Sequence, residues 1–158
     1  MIESLHINST DKKEQYQELL SQLVHLVSHE SDLIANMANI TAALKTVFNW
    51  LWVGFYLVKD KELVLGPFQG PMACTRISYA KGVCGKVWQL NECLIVPDVN
   101  QFDGHIACSS LSKSEIVLPI NNSKSEVVGV LDIDSSELDA FDQTDRQYLT
   151  KIIQLLKF

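Results

Sequence analysis

The stretch EIVLPINNSKSEVVGVLDIDS, residues 115–135, predicts an antiparallel β-hairpin. Its two outer runs, 115–120 and 126–135, are rich in β-branched residues, which favour strands. The five residues between them, 121–125, are polar and typical of a hairpin connection. A hairpin of this length indicates a sheet whose other strands come from the rest of the chain.

Three acids in this hairpin are candidate site residues. Because side chains alternate along a strand, Asp132 and Asp134 fall on one face of the second run, and Glu115 opens the first. Acids on a covered face are costly unless they are paired with donors or cations. Two interpretations stay open: the acids lie at the exposed end of the strand, or they converge. Converging acids would bind an ammonium group or raise one another's pKa until one of them can donate a proton.

The remaining periodicities predict helices around this sheet. Amphipathic spacing favours one helix over 16–27 and a second after Ser31 or Asp32, and Asp142 is a good cap for the last helix. Short strands are predicted at 50–58, 62–65, 76–79 and 94–96, with a short helix at 83–90. The first two helices are expected to pack on the sheet, with a homodimer face as the alternative.

Two loops stand out between these elements. The run Gly66–Pro71 is expected to end its strand, because its two prolines lack backbone donors. From Asp98 to Ser114 the hydrophobic residues follow neither a helical nor a strand period. A long irregular segment inside a compact domain is often a lid or binding loop. The order of elements predicts an α+β fold in a single domain, residues 1–158, with one mostly antiparallel sheet and helices packed against it.

Composition narrows the function classes. With 158 residues, 47% of them hydrophobic, and a net charge of −6, the chain is typical of a globular domain whose partners are neither nucleic acid nor anionic membrane. No apolar run approaches the roughly 20 residues of a membrane span, and the N-terminus has no signal-peptide pattern. A cytoplasmic location is expected, where lasting disulfides are unusual.

All four cysteines, Cys74, Cys84, Cys93 and Cys108, lie between residues 66 and 120. Their gaps are too wide for the close pairs of a zinc site, so no metal is expected. Cys93 precedes an apolar run and is predicted to be a buried packing residue. Cys108 lies in the irregular segment three residues after His105, and both a reactive thiolate and an inert thiol fit that position.

Several separated motifs resemble the signature of free methionine-(R)-sulfoxide reductases, which are stand-alone GAF-domain enzymes. They are Gly66-Pro67-Phe68-Gln69-Gly70, Gly82-Val83-Cys84-Gly85, Gly104-His105-Ile106-Ala107-Cys108 and Ser114-Glu115-Ile116-Val117. The resemblance runs from about Tyr16 to Leu156. It implies a GAF fold, free methionine-(R)-sulfoxide as substrate, thioredoxin as reductant and no cofactor.

The resemblance also implies roles for particular residues. Cys108 would attack the substrate, Cys74 would be its main disulfide partner, and Cys84 would be a third thiol able to exchange. The wall around the substrate methyl group would be Trp52 and Tyr56, which the strand pattern alone places in a core. The carboxylate cluster would be Glu115, Asp132 and Asp134. As a mechanistic hypothesis beside the resemblance, we expect Glu115 to donate the proton and the two aspartates to hold the substrate ammonium. The alternative functions are a GAF-type module that only binds a small ligand, and a thiol peroxidase or redox sensor.

Overall fold

The computed structural model describes residues 5–106 and 108–158. Its helices are α1 (Lys12–Ser28), α2 (Leu33–Phe48), α3 (Gly82–Leu90) and α4 (Gln143–Ile153), with a 3₁₀ turn at Val99–Gln101. Its strands are β1 (Trp52–Lys59), β2 (Glu62–Gln69), β3 (Arg76–Ser78), β4 (Leu94–Val96), β5 (Ser114–Asn121) and β6 (Val127–Ser135). They form one sheet in the order β3-β2-β1-β6-β5-β4. Every neighbouring pair is antiparallel, which confirms the predicted fold class.

The sheet is covered on both faces, as the hairpin sequence predicts. One face carries Phe55, Leu118 and Leu131 into a core shared with α1, α2 and α4, here called the main core. The other face carries Tyr56, Val117 and Val130 against α3, here called the second core. Because the strand period is two, the acids of β5 and β6 face the second core rather than the main one.

Caps fix where the predicted helices begin. The Asp32 side chain accepts a hydrogen bond from the backbone N–H of Ala35, which settles the choice between Ser31 and Asp32. Asp142 and Asp145 form a capping box at the start of α4. Asp145 is fully buried and also accepts from the Tyr16 hydroxyl at 2.8 Å, so the same carboxylate ties α4 to α1. Within the described residues, no helix has the length and apolarity that a bilayer crossing requires.

The expectation that Gly66–Pro71 ends its strand was wrong. Strand β2 continues to Gln69, with Gly54 opposite Phe68 and Tyr56 opposite Leu65. The register therefore shifts by one residue at Gly66 and Pro67, which together lie across from Phe55. In such a bulge the proline needs no ladder donor, and the strand resumes beyond it.

Candidate active site

A pocket opens on the second-core face of the sheet, between the start of α3 and two loops. One loop follows β2 and carries Pro71, Met72 and Ala73. The other belongs to the irregular segment before β5 and carries His105, Ile106, Cys108, Ser109 and Ser112. The floor comes from β1, β5 and β6, and it includes Trp52, Tyr56, Glu115, Asp132 and Asp134.

Strand register collects the three acids on this floor. In β6, Asp134 lies opposite Trp52 of β1 on one side and Glu115 of β5 on the other. Asp132, two residues before Asp134 in β6, lies on the same face, opposite Gly54. Glu115 is 5% exposed and Asp132 is 7% exposed, so neither is a surface acid. The structure therefore supports convergence and not the alternative of an exposed strand end.

Burial and mutual repulsion favour the protonated forms of these acids. Burial raises the pKa of Glu115 well above its usual value, and repulsion from Asp132 and Asp134 raises it further. Burial and the charge of Asp134 likewise raise the pKa of Asp132 well above normal. For Asp134, burial raises the pKa to about 6, although a hydrogen bond from the Ser112 hydroxyl works in the opposite direction. The cluster can hold a proton at pH values where exposed carboxyl groups have lost theirs.

One atom of the cluster has no partner. Oδ1 of Asp132 is buried and accepts no hydrogen bond from any residue that the structure describes. A buried acceptor without a donor costs free energy, and a ligand that donates to it would recover that cost. The pocket is therefore suited to a donor or a cation beside Asp132.

An aromatic wall faces the acids. The Trp52 indole stacks on Phe68, with ring centroids 5.4 Å apart, and lies 5.8 Å from the Tyr56 ring. Its Nε1 donates to the carbonyl of Pro71 at 3.1 Å, which fixes the ring plane. A Cβ at Gly54 would lie 2.2 Å from the indole, so only glycine leaves room for this ring position. The wall is flat, apolar and rigid, as a site for a small methyl or thioether group requires.

Cys74 and Cys108 are joined by a disulfide, with their Cα atoms 5.5 Å apart. Cys108 lines the pocket, and Cys74 packs at the edge of the second core. The Tyr56 hydroxyl donates to the carbonyl of Cys74 at 2.9 Å, so the aromatic wall also positions one half of the disulfide. Sequence spacing could not indicate this second contact of Tyr56.

Cys84 occupies a different position. It is 4% exposed, and its sulfur lies within 4.8 Å of carboxylate oxygens of Glu115 and Asp132. Burial raises the pKa of its thiol well above normal, and the nearby acids raise it further. These three groups are the set that could hold a metal ion within the described residues, but a structural zinc site needs four ligands. We interpret Cys84 as a neutral thiol bordering the acid cluster.

Two further residues of the sequence analysis are Cys93 and His105. Cys93 packs against the main core, as its apolar neighbours predict, but it is half-buried rather than fully buried, and burial raises its pKa to about 11. His105, three residues before Cys108 in the sequence, has its Nε2 3.8 Å from Oε2 of Glu115. Burial lowers the pKa of His105, so the neutral imidazole is favoured at this contact.

Comparison with known proteins finds relatives with this fold. The GAF domain family profile covers residues 30–158. The free methionine-R-sulfoxide reductase of Escherichia coli is 43% identical over 93% of this chain and 89% of its own. The crystal structure of the free methionine-R-sulfoxide reductase from Neisseria meningitidis, solved in complex with its substrate, has a TM-score of 0.94. It is 49% identical and covers 98% of this chain and 93% of its own.

The chain belongs to the free methionine-R-sulfoxide reductase family. A further relative, GAF domain-containing protein A of Dictyostelium discoideum, is 58% identical over 99% of both chains. In this member of the reductase family, seven of the predicted site residues line one pocket: Trp52, Tyr56, Cys84, Cys108, Glu115, Asp132 and Asp134. The eighth, Cys74, is bonded to one of them.

Sequence reasoning missed three features of the site. Ser112, whose hydroxyl donates to Asp134, lies in the segment without a period, where side-chain directions cannot be predicted. Gly54 makes room for the indole of Trp52, a contact that depends on the observed ring position. Lys81 lines the pocket just before α3, and no pattern in the sequence marks it as a site residue.

The raised pKa of Asp134 predicts a pH-dependent stability in this reductase-family protein. A folded-state value of about 6 against an ordinary 3.8 means that its contribution to folding is complete below pH 4 and is lost as the pH rises through 6. Asp134→Asn removes this loss. We expect the free energy of unfolding of the variant, relative to that of the wild type, to be higher at pH 7 than at pH 4 by on the order of 2–3 kcal/mol. Urea unfolding without ligand at both pH values measures the difference.

The matched control is Asp139→Asn, because Asp139 is exposed in the loop after β6 and its backbone φ of 51° suits asparagine. Its stability relative to the wild type should not change across the same pH range. If the free energy of unfolding of Asp134→Asn differed from that of the wild type by the same amount at pH 4 and pH 7, the folded protein would not hold this acid at a raised pKa.

Proposed function

We propose that the protein reduces free L-methionine (R)-sulfoxide to L-methionine. The observation that carries this proposal is a disulfide between Cys108 and Cys74 at a pocket that holds both buried acids and an aromatic wall. A thiol that has been oxidised next to a polar substrate site is what a thiol-dependent reductase leaves behind. Similarity to reductases that are named for this substrate supports the same assignment.

The pocket fits the parts of a free amino-acid sulfoxide. The substrate methyl group would pack against Trp52 and Tyr56, which offer an apolar surface. The ammonium group would donate to Asp132, whose Oδ1 has no other partner within the described residues, and to Asp134. The sulfoxide oxygen would then point to Glu115. Methionine inside a peptide has no ammonium group for these acids, so free methionine sulfoxide is preferred.

The chemical step uses Cys108 and Glu115. The Cys108 thiolate attacks the sulfoxide sulfur and forms a bond to it, while Glu115 delivers a proton to the oxygen. The protonated oxygen then passes from the substrate sulfur to the Cys108 sulfur as the bond between the two sulfur atoms breaks. Methionine leaves with two more electrons than the sulfoxide carried, and Cys108 becomes a sulfenic acid. The Cys74 thiol condenses with that sulfenic acid, which forms the disulfide and releases water.

A dithiol reductant restores the enzyme. One thiolate of a thioredoxin attacks the Cys74–Cys108 disulfide, and its second thiol releases both cysteines in the reduced form. This cycle suits a cytoplasmic protein, where disulfides are transient and catalytic. Cys74 is assigned as the resolving thiol. Cys84 would enter the exchange only after a movement of α3, since it is buried in the second core and its thiol is held protonated.

The irregular segment from Asp98 to Ser114 would act as the lid. It supplies the nucleophile Cys108, the hydroxyl of Ser112 and the imidazole of His105 to the pocket. Closure over the substrate would exclude water from the acid cluster and strengthen its contacts with the ammonium group. No metal or cofactor takes part in these steps, and a homodimer through α1 and α2 stays a prediction.

A single-turnover thiol count tests the function. Fully reduced protein is mixed with excess L-methionine (R)-sulfoxide without reductant. We expect two of the four thiols to be lost, one methionine to form per chain, and peptide mapping to find Cys74 linked to Cys108. A module that only binds would lose no thiol and form no methionine. A thiol peroxidase would react faster with hydrogen peroxide than with the sulfoxide, and either result would overturn the proposal.

A further inference from the structure

We propose that the hydroxyl group of Tyr56 positions Cys74 for the resolving step, in which the Cys74 thiol condenses with the oxidised Cys108. This inference rests on the proposed function, because it concerns the second half of the same reaction. The condensation requires the Cys74 sulfur to meet the sulfenic acid in bonding geometry, and a group that holds the two together raises the rate of that step. Tyr56 is then a positioning residue as well as part of the apolar wall.

The segment that carries Cys74 is held by the aromatic wall. Residues 70–75 connect β2 to β3 and are here called the Cys74 loop. Nε1 of Trp52 donates to the carbonyl of Pro71 at 3.1 Å, and the hydroxyl of Tyr56 donates to the carbonyl of Cys74 at 2.9 Å. Both donors lie on β1, and both side chains are buried. Because the two acceptors are backbone carbonyls, these bonds fix the path of the loop itself.

Few other polar contacts hold the middle of the Cys74 loop. Met72 is 92% exposed, and Cys74 is half-buried. The far end of the loop is tied by the N–H of Leu65, which donates to the carbonyl of Thr75 at 3.0 Å. Among the hydrogen bonds that join described residues, the one from Tyr56 is the only one in which residues 72–74 take part. The position of Cys74 therefore depends strongly on this donor.

The Tyr56 hydroxyl remains a donor, and its ring has contacts of its own. Burial and the nearby acids raise the pKa of Tyr56 above its usual value, so the hydroxyl keeps its proton. The ring packs in the second core and stacks with the Trp52 indole. Tyr56→Phe keeps these ring contacts and removes only the donor. By thermodynamic reciprocity, a bond that is better formed when Cys74 is joined to Cys108 also favours formation of that disulfide.

The first test needs no substrate. The wild type and Tyr56→Phe are equilibrated with mixtures of reduced and oxidised glutathione, and thiol labelling with peptide mapping gives the fraction of chains that carry the Cys74–Cys108 disulfide. We expect the equilibrium constant for forming this disulfide to be about fivefold lower in the variant, the size of one net hydrogen bond. An unchanged equilibrium constant would overturn the inference.

The second test separates the two half-reactions. Reduced protein is mixed with excess methionine (R)-sulfoxide and dimedone, a reagent that traps sulfenic acids. We expect the ratio of disulfide-linked to trapped Cys108 to fall in Tyr56→Phe by about the same factor, since the trap competes with Cys74 for one sulfenic acid. A residue that served only to fold the sheet would lower both products together and leave their ratio unchanged.

Tyr148→Phe is the matched control, because it removes a tyrosine hydroxyl from the main core on the other face of the sheet. It should change neither the glutathione equilibrium nor the ratio of the two Cys108 products. Changes in Tyr56→Phe no larger than those in Tyr148→Phe would also overturn the positioning role. A wild type that forms no methionine would instead refute the proposed function, while the glutathione equilibrium would still decide the role of Tyr56.

Discussion

Replacing Cys108 with serine is expected to reduce turnover of methionine (R)-sulfoxide by at least roughly 10⁴-fold. A serine hydroxyl is not ionised near neutral pH and cannot carry the oxygen away as a sulfenic acid. Substrate binding should survive, because the acids and the aromatic wall belong to the sheet and remain in place. Trp52 lines the pocket, so its fluorescence can report binding while a methionine assay reports chemistry.

Cys93→Ser is the matched control for this loss. Cys93 also carries a free thiol, but it packs against the main core on the other face of the sheet. Its variant should keep kcat within about twofold of the wild type, since no step involves it. If Cys108→Ser continued to form methionine with thioredoxin, the nucleophile would have to be assigned to another thiol.

The sequence predicts the central hairpin well because its information is local. Alternation within β6 places Asp132 and Asp134 on one face, and the polar turn fixes the antiparallel pairing with β5. They leave open whether Glu115 joins the two aspartates, because a connection of five residues, 121–125, would by itself pair Glu115 with Leu131. In the structure the register shifts between Ile120 and Asn121, and Glu115 pairs with Asp134.

The pairing that completes the site is not local. Asp134 lies opposite Trp52, and that register depends on how β1 docks on β6 across most of the chain. The bulge at Gly66 and Pro67 is likewise set by the fit of β2 to β1, and a proline in a sequence favours an end to the strand rather than a bulge. The residues of the pocket could therefore be named before their arrangement was known.

The cysteine pairing and the loop contacts show most clearly what the sequence alone cannot predict. Four cysteines with wide spacing allow several disulfides, and the pair Cys74–Cys108 was expected only from the family resemblance. The direction of His105 in a segment without a period could not be predicted, and the structure turns it toward Glu115. Side-chain direction in such a segment follows from its tertiary contacts, which no periodicity encodes.

Glu115→Gln is expected to lower kcat by about 10²–10⁴-fold, because the amide keeps the shape of the acid but cannot transfer a proton. Burial raises the pKa of Glu115, so in the wild type the proton is retained to a higher pH than in an exposed glutamate. The rate should therefore fall as the pH rises through that raised value. In the variant this alkaline decline should disappear, leaving only the rise that accompanies ionisation of Cys108.

Glu126→Gln provides the comparison, because Glu126 is exposed in the hairpin connection before β6. It should retain the wild-type rate and pH profile. The mechanism requires the loss at Glu115 to appear in kcat, since a residue that only held the ammonium would raise KM instead. A Glu115 variant with normal kcat and a raised KM would move the proton donor to Asp132 or Asp134, the two acids on the same face of the sheet whose pKa values are also raised by burial.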